Sequence, residues 1–192
     1  MKTYAIPMLL VITATMNAAA AAETELTVGK YTFLRTTLEN GLRAAAVEGT
    51  GEKAWIFMVV GAGRRHEGPL TTGLAHLTEH TMFSGTRTTG NGERVKRVEA
   101  MGGAANAYTR DDYTLYYDIT LPPGKLPEVL TMDADRLCNL VFDPDGFRSE
   151  QQSLKREEEY TYSIRNALDE LVESVVFRNH PYGAWLRDAK AE

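Results

Sequence analysis

Residues 76–80 read His-Leu-Thr-Glu-His. On a helix, His76 and His80 lie one turn apart and share a face. Two imidazoles at that spacing hold one zinc ion from the same side. Glu79 falls on the same face, where a carboxylate reaches a metal-bound water without being a ligand. The order of residues inverts the common HExxH zinc motif. Zinc lowers the pKa of its bound water to about 7, and a nearby glutamate takes the proton. The competing reading is a pair of surface histidines on an amphipathic helix. An independent third ligand decides against it.

A catalytic zinc takes three protein ligands and keeps one position open. There is one cysteine, Cys138, so a Cys-rich zinc site and an intrachain disulfide framework are both excluded. The third ligand must be His, Asp or Glu. Glu150, Leu154, Glu157, Thr161, Ile164, Leu168, Leu171 and Val175 follow a 4-3 spacing and form one helical stripe. The stripe is apolar in its second half, so it is expected to face the core. Glu158 and Glu159 are rotated off it by roughly 100° and 200°. A carboxylate on a buried face is costly unless paired or metal-bound. Helix geometry therefore selects Glu157 as the third ligand and leaves Glu158 and Glu159 to solvent. Glu150, two turns earlier, would orient a ligand from behind.

These residues need elements to carry them. Tyr31–Leu38 and Leu42–Val47 read as a hairpin around Glu39-Asn40-Gly41, after a polar lead-in at 23–29. Ala54–Val60 is a continuous apolar run, as in a buried strand. Gly61-Ala62-Gly63 ends it, and Arg64–Leu70 is a loop. A helix from Thr72 to Phe83 carries the histidine pair. Gly85–Gly92 is a break, and Glu93–Met101 is a short helix stopped by Gly102-Gly103. A strand over Ala105–Arg110 precedes a clear alternation. Tyr113, Leu115, Tyr117 and Ile119 point one way; Thr114, Tyr116, Asp118 and Thr120 point the other. Leu126–Val141 is an amphipathic helix. After a turn at Asp143–Gly146, a helix of about thirty residues is expected from Phe147 to Asn179, closed by His180-Pro181. There is no internal repeat and no low-complexity linker. The class is α+β: a partial two-layer module with a mainly antiparallel sheet packed by helices.

The chain has 192 residues, 43% hydrophobic and 24% charged, ordinary for one globular domain. The net charge of −5 is no footprint for nucleic acid. Residues 1–22 have a lysine start, an apolar stretch from Tyr4 to Met16, and a small-x-small site at Ala20 and Ala22. That is the pattern of a cleavable secretory signal, implying a secreted or periplasmic module over 23–192. The stretch is too short for a membrane span, and no later segment reaches that length. The other reading is an uncleaved anchor. A lone cysteine in such a compartment is expected to be a buried apolar residue.

The sequence resembles the pitrilysin/insulinase family of zinc metallopeptidases, which includes the mitochondrial processing peptidases. The resemblance runs from about Asn40 to Gly183. It is carried by GAGRRHE at 61–67, GLAHLTEHTMFSGT at 73–86, NAYT at 106–109, SEQQSLKREEE at 149–159 and NHPYG at 179–183. The spacings from His80 to Glu157 and from Glu150 to Glu157 are those of the family, so resemblance and helix face select the same residue. The resemblance implies one Zn2+ ion on His76, His80 and Glu157, with Glu79 as general base. It implies that Asn106 and Ala107 lie on an edge strand that pairs with an extended peptide substrate. His66 reads as a loop residue, and His180 as part of a helix-ending turn. Family members form a clamshell of two homologous halves. This sequence matches the first part of one module, so a second half or partner subunit is expected, with strands missing from the sheet. Two functions stay open: a zinc endopeptidase for short or unfolded peptides, or a non-catalytic zinc- or peptide-binding subunit or fragment that needs a partner chain to complete the site. The intact ligand set favours the first.

Overall fold

The computed structural model describes residues 8–14, 24–29, 31–47, 51–68, 70–161, 164–178 and 180–183. One sheet organises them. Its strands are β1 (Met8–Ala14), β2 (Thr24–Val28), β3 (Tyr31–Thr37), β4 (Leu42–Val47), β5 (Ala54–Val60), β6 (Ala104–Thr109) and β7 (Thr114–Leu121). The order across the sheet is β2-β3-β4-β1-β5-β7-β6. All neighbours are antiparallel except β1 and β5, which run parallel. The expected mainly antiparallel α+β sheet is present, with β2 and β6 at its edges.

The hairpin between β3 and β4 forms where the sequence places it. Gly41 supplies a positive φ of 83°, and the Asn40 side chain accepts the Leu42 N–H at 3.0 Å. The segment expected as a polar lead-in is instead strand β2, paired with β3. Its Leu26 and Val28 stay exposed, so backbone pairing rather than burial defines it. The apolar stretch of the leader pattern supplies β1, between β4 and β5.

The α-helices among the described residues are α1 (Leu74–Thr81) and α2 (Glu93–Ala100), between β5 and β6, and α3 (Leu126–Asn139), α4 (Pro144–Thr161) and α5 (Ile164–Val176), after β7. The core sits between the sheet and α2 and α3. Ala54, Ile56 and Leu121 from the sheet meet Val98, Leu126, Val129 and Met132 from the helices. A second cluster joins Met58 and Tyr116 to Met82, just after α1. Thr120 has a φ of 59°, and the β5–β7 register shifts between Ala54 and Ile56. That bulge turns Leu121 into the core, at 0% exposure.

Three expectations need correction. The expected long helix spans α4 and α5, with 162–163 between them outside the described residues; its start is what needs correction. It starts earlier than expected, because Asp143 Oδ2 accepts the Gly146 N–H at 2.9 Å and Pro144 fits the first helical position. The second half of the apolar stripe does not face the core: Leu168, Leu171 and Val175 are all exposed. Cys138 is also exposed, because α3 presents Val129, Met132, Asp133 and Arg136 to the sheet and turns Cys138 away.

Candidate metal centre

Helix α1 carries His76, Glu79 and His80 on its eight residues. Its N-terminus is held from upstream. Glu67 accepts the Gly73 N–H at 2.9 Å and the Ala75 N–H at 2.7 Å, so one carboxylate satisfies two orphan donors at the positive end of the helix. Gly73 has a φ of 81°, a conformation that costs a glycine nothing. At the other end, Met82 and Phe83 anchor the helix to β7 through Tyr116.

Helix α4 lies against α1, with Leu154 buried at 7% exposure. It delivers two carboxylates to one imidazole. Glu150 Oε2 is 3.2 Å from His80 Nδ1, and Glu157 Oε2 is 3.4 Å from His80 Nε2. The His76 and His80 rings meet edge to face, 4.9 Å between centroids. One ligand atom from each of His76, His80 and Glu157 lies within 4.8 Å of the others. Tetrahedral zinc sets neighbouring N and O ligands about 3.3–3.5 Å apart, so the His80–Glu157 pair already has that separation. The donor set, two imidazoles and one carboxylate, suits zinc. Glu150 on Nδ1 would leave Nε2 of His80 free to face a metal.

Glu157 is not on a buried face as the stripe suggested: its side chain is 53% exposed. It sits at the rim of the α1–α4 contact and is placed by His80 rather than by burial. Glu79 is different. It is 7% exposed, and its Oε2 accepts a 2.6 Å hydrogen bond from the Thr109 hydroxyl on β6.

Strand β6 is the sheet edge nearest α1. Asn106 is exposed there and Ala107 is half-buried. The Ala107 N–H donates to Asn106 Oδ1 at 2.8 Å. Asn106 and Ala107 thus stand on an edge strand, and that strand also reaches Glu79. His66 lies apart from the cluster, with its Nδ1 3.1 Å from the Gly63 N. His180 closes the turn after α5, its N–H donating to Phe177 O at 2.9 Å. Tyr182 reaches back to Asp112 Oδ2 at 2.7 Å, and Arg65 to Asp112 Oδ1 at 3.0 Å. The NHPYG turn therefore braces the loop that follows β6. The Asp112 bond also holds the Tyr182 hydroxyl above its ordinary pKa.

Two residues that position the site escaped sequence reasoning. Glu67 caps α1 from outside the usual capping-box spacing, so no local pattern marks it. Thr109 meets Glu79 only because β6 folds back beside α1. Its sole signal is alternation, which puts it on the same face of β6 as Ala107.

Comparison with known proteins is specific. The chain belongs to the insulinase family of peptidases, peptidase family M16, whose model matches residues 43–190. It is 31% identical over 138 residues to the mitochondrial-processing peptidase subunit beta of Dictyostelium discoideum, covering 71% of this chain and 29% of that protein. It is 29% identical over 151 residues to the uncharacterized zinc protease YmxG of Bacillus subtilis, covering 78% and 37%. Among solved structures, pitrilysin superposes with a TM-score of 0.70 at 17% identity, over 90% of this chain and 20% of that one. A protease from Helicobacter pylori superposes at 0.66 with 22% identity, over 90% and 41%. These two likenesses show the fold. The chain spans about a third of the length of the curated relatives named here.

Proposed function

We propose that this chain carries a zinc site formed by His76, His80 and Glu157 and serves peptide-bond hydrolysis with Glu79 as general base. The observation that carries the reading is the convergence of three ligand atoms from α1 and α4 within 4.8 Å. Family membership alone does not choose between an enzyme and a binding subunit, since relatives include cytochrome b-c1 complex subunit 1 of Bos taurus. The complete ligand set with an adjacent buried carboxylate favours the enzyme.

A bound zinc ion supplies Lewis acidity to a carbonyl and lowers the pKa of a water to about 7. The protein's own groups do the rest. Glu150 holds His80 at Nδ1, fixing the ring orientation. Glu79 accepts a proton at Oε1, because Oε2 is engaged by Thr109. The edge of β6 at Asn106 and Ala107 offers backbone for pairing with an extended peptide, which favours short or unfolded substrates. The residues that would complete a chamber around such a peptide belong to a second homologous half or partner subunit.

The leader reading of residues 1–22, with secretion or periplasmic location, rests on the sequence pattern. Cleavage after Ala22 would remove β1 and leave β4 and β5 without the strand between them.

The test uses the full chain. One equivalent of zinc should bind, and a quenched, unstructured peptide should be cleaved only while zinc is present. Full activity after chelation, with no metal retained, would overturn the zinc reading. Stoichiometric zinc with no cleavage would favour the non-catalytic binding subunit.

A further inference from the structure

We propose that Thr109 is the positioning residue for Glu79, tying its carboxylate to the edge strand on which an extended peptide would pair. The inference rests on the proposed reading of Glu79 as base.

Glu79 is a buried carboxylate on a helix that lies against β6. A buried carboxylate must be hydrogen-bonded to remain charged and oriented. Among the described residues, Thr109 is the sole hydrogen-bond donor to it, at 2.6 Å. That length is typical of an O–H donating to a carboxylate, a bond about twice as strong as a neutral one. The neighbouring hydroxyl makes no claim on that hydrogen. Thr114 Oγ1 lies 3.4 Å from Thr109 Oγ1 and donates its own hydrogen to Ala62 O at 3.0 Å. The Thr114 hydrogen is therefore spent on a carbonyl, and Thr109 is left to donate to Glu79. The hydroxyl keeps its proton throughout; the proton taken from water goes to Oε1.

Thr109 stands on the same edge strand as Asn106 and Ala107, so the base and the peptide-pairing edge share one rigid element. A base tied to that element keeps a constant offset from whatever lies on it. Misplacement of a reacting group by about 1 Å costs on the order of a hundredfold in rate. A β-branched residue suits a strand, so Thr109→Val removes the hydroxyl and keeps the shape.

The experiment compares full-length, zinc-loaded wild type, Thr109→Val and Thr109→Ser. Thr109→Val should lower kcat by about 10- to 100-fold. KM should stay within about twofold, and zinc affinity should be unchanged. Thr109→Ser should restore most of the rate, which a merely structural role would not produce. In parallel, the Glu79 carboxylate band is isolated by infrared difference against Glu79→Gln, with carbon-13 labelled glutamate. It should shift in Thr109→Val and return in Thr109→Ser. An unshifted band, or an unchanged kcat in Thr109→Val, would overturn the proposal while leaving the zinc-peptidase reading intact. A zinc-loaded wild type that cleaves nothing would instead favour the non-catalytic binding subunit, and the infrared band would still decide whether Thr109 holds the carboxylate.

Discussion

His80 is the residue on which the site turns, with a glutamate of α4 at each ring nitrogen. The two carboxylates have different work. In the proposed reading Glu157 on Nε2 would join His76 and His80 as a ligand, whereas Glu150 on Nδ1 would orient the ring. Replacing Glu157 by Gln should weaken zinc far more than replacing Glu158, its neighbour in sequence. Glu150→Gln should fall between them, with a loss of about 10- to 100-fold. Zinc titration against a competing chelator measures all three. Equal affinities for Glu157→Gln and Glu158→Gln would contradict the ligand assignment. That His76, His80 and Glu157 come together was legible in the sequence, because His76 and His80 obey a local helical period and Glu157 follows the period of α4. Exposure was not legible. Glu157 lies at a rim, since burial depends on which helix packs alongside, and periodicity does not encode that. Glu67 and Thr109 were hidden because their partners are remote along the chain or on another element.

The elements around the site are fastened by charge as well as by apolar packing. Arg94 of α2 donates to Asp118 of β7 at 3.1 and 2.6 Å and to Asp133 of α3 at 2.5 Å; Arg136 meets Asp133 at 2.8 Å. All four side chains are buried. Burial pushes the Asp133 carboxyl above its ordinary pKa, against the pull of Arg136 and Arg94. Burial likewise pushes the Tyr116 hydroxyl well up, beneath the Arg136 guanidinium. Arg94→Ala would leave Asp118 and Asp133 without a guanidinium they share. It should destabilise the fold by about 3–5 kcal/mol, read from urea unfolding. A loss under 1 kcal/mol would mean that the network is not maintained in solution. Alternation in β7 placed Asp118 on the face of Thr114 and Tyr116 correctly. Single-strand alternation does not say that this is the covered face, because a buried aspartate is tolerated only once Arg94 arrives from another element. The apolar stripe of α5 misled for the converse reason: Leu168, Leu171 and Val175 have the period of a core face, and the described residues do not cover them.

At the scale of the whole molecule, the edge of a seven-stranded sheet backs α1, and α4 lies against α1, so that one helix pair brings His76, His80 and Glu157 together and one sheet edge lies beside Glu79. Strand β1 shows how far a sequence pattern extends. Met8–Ala14 is short and apolar, which suits a leader core and an interior strand equally, and its place between β4 and β5 comes from pairing that composition does not encode. The most direct test of the central claim is zinc-dependent cleavage of an unstructured peptide by full-length wild type and Glu79→Gln, with zinc content measured on both. The expected result is equal zinc in the two proteins and cleavage in the wild type alone, because in the proposed mechanism Glu79 moves a proton and binds no metal. Equal cleavage by both would remove Glu79 from the chemistry. Loss of zinc in Glu79→Gln would make it a ligand and contradict the assignment of His76, His80 and Glu157 as the complete set.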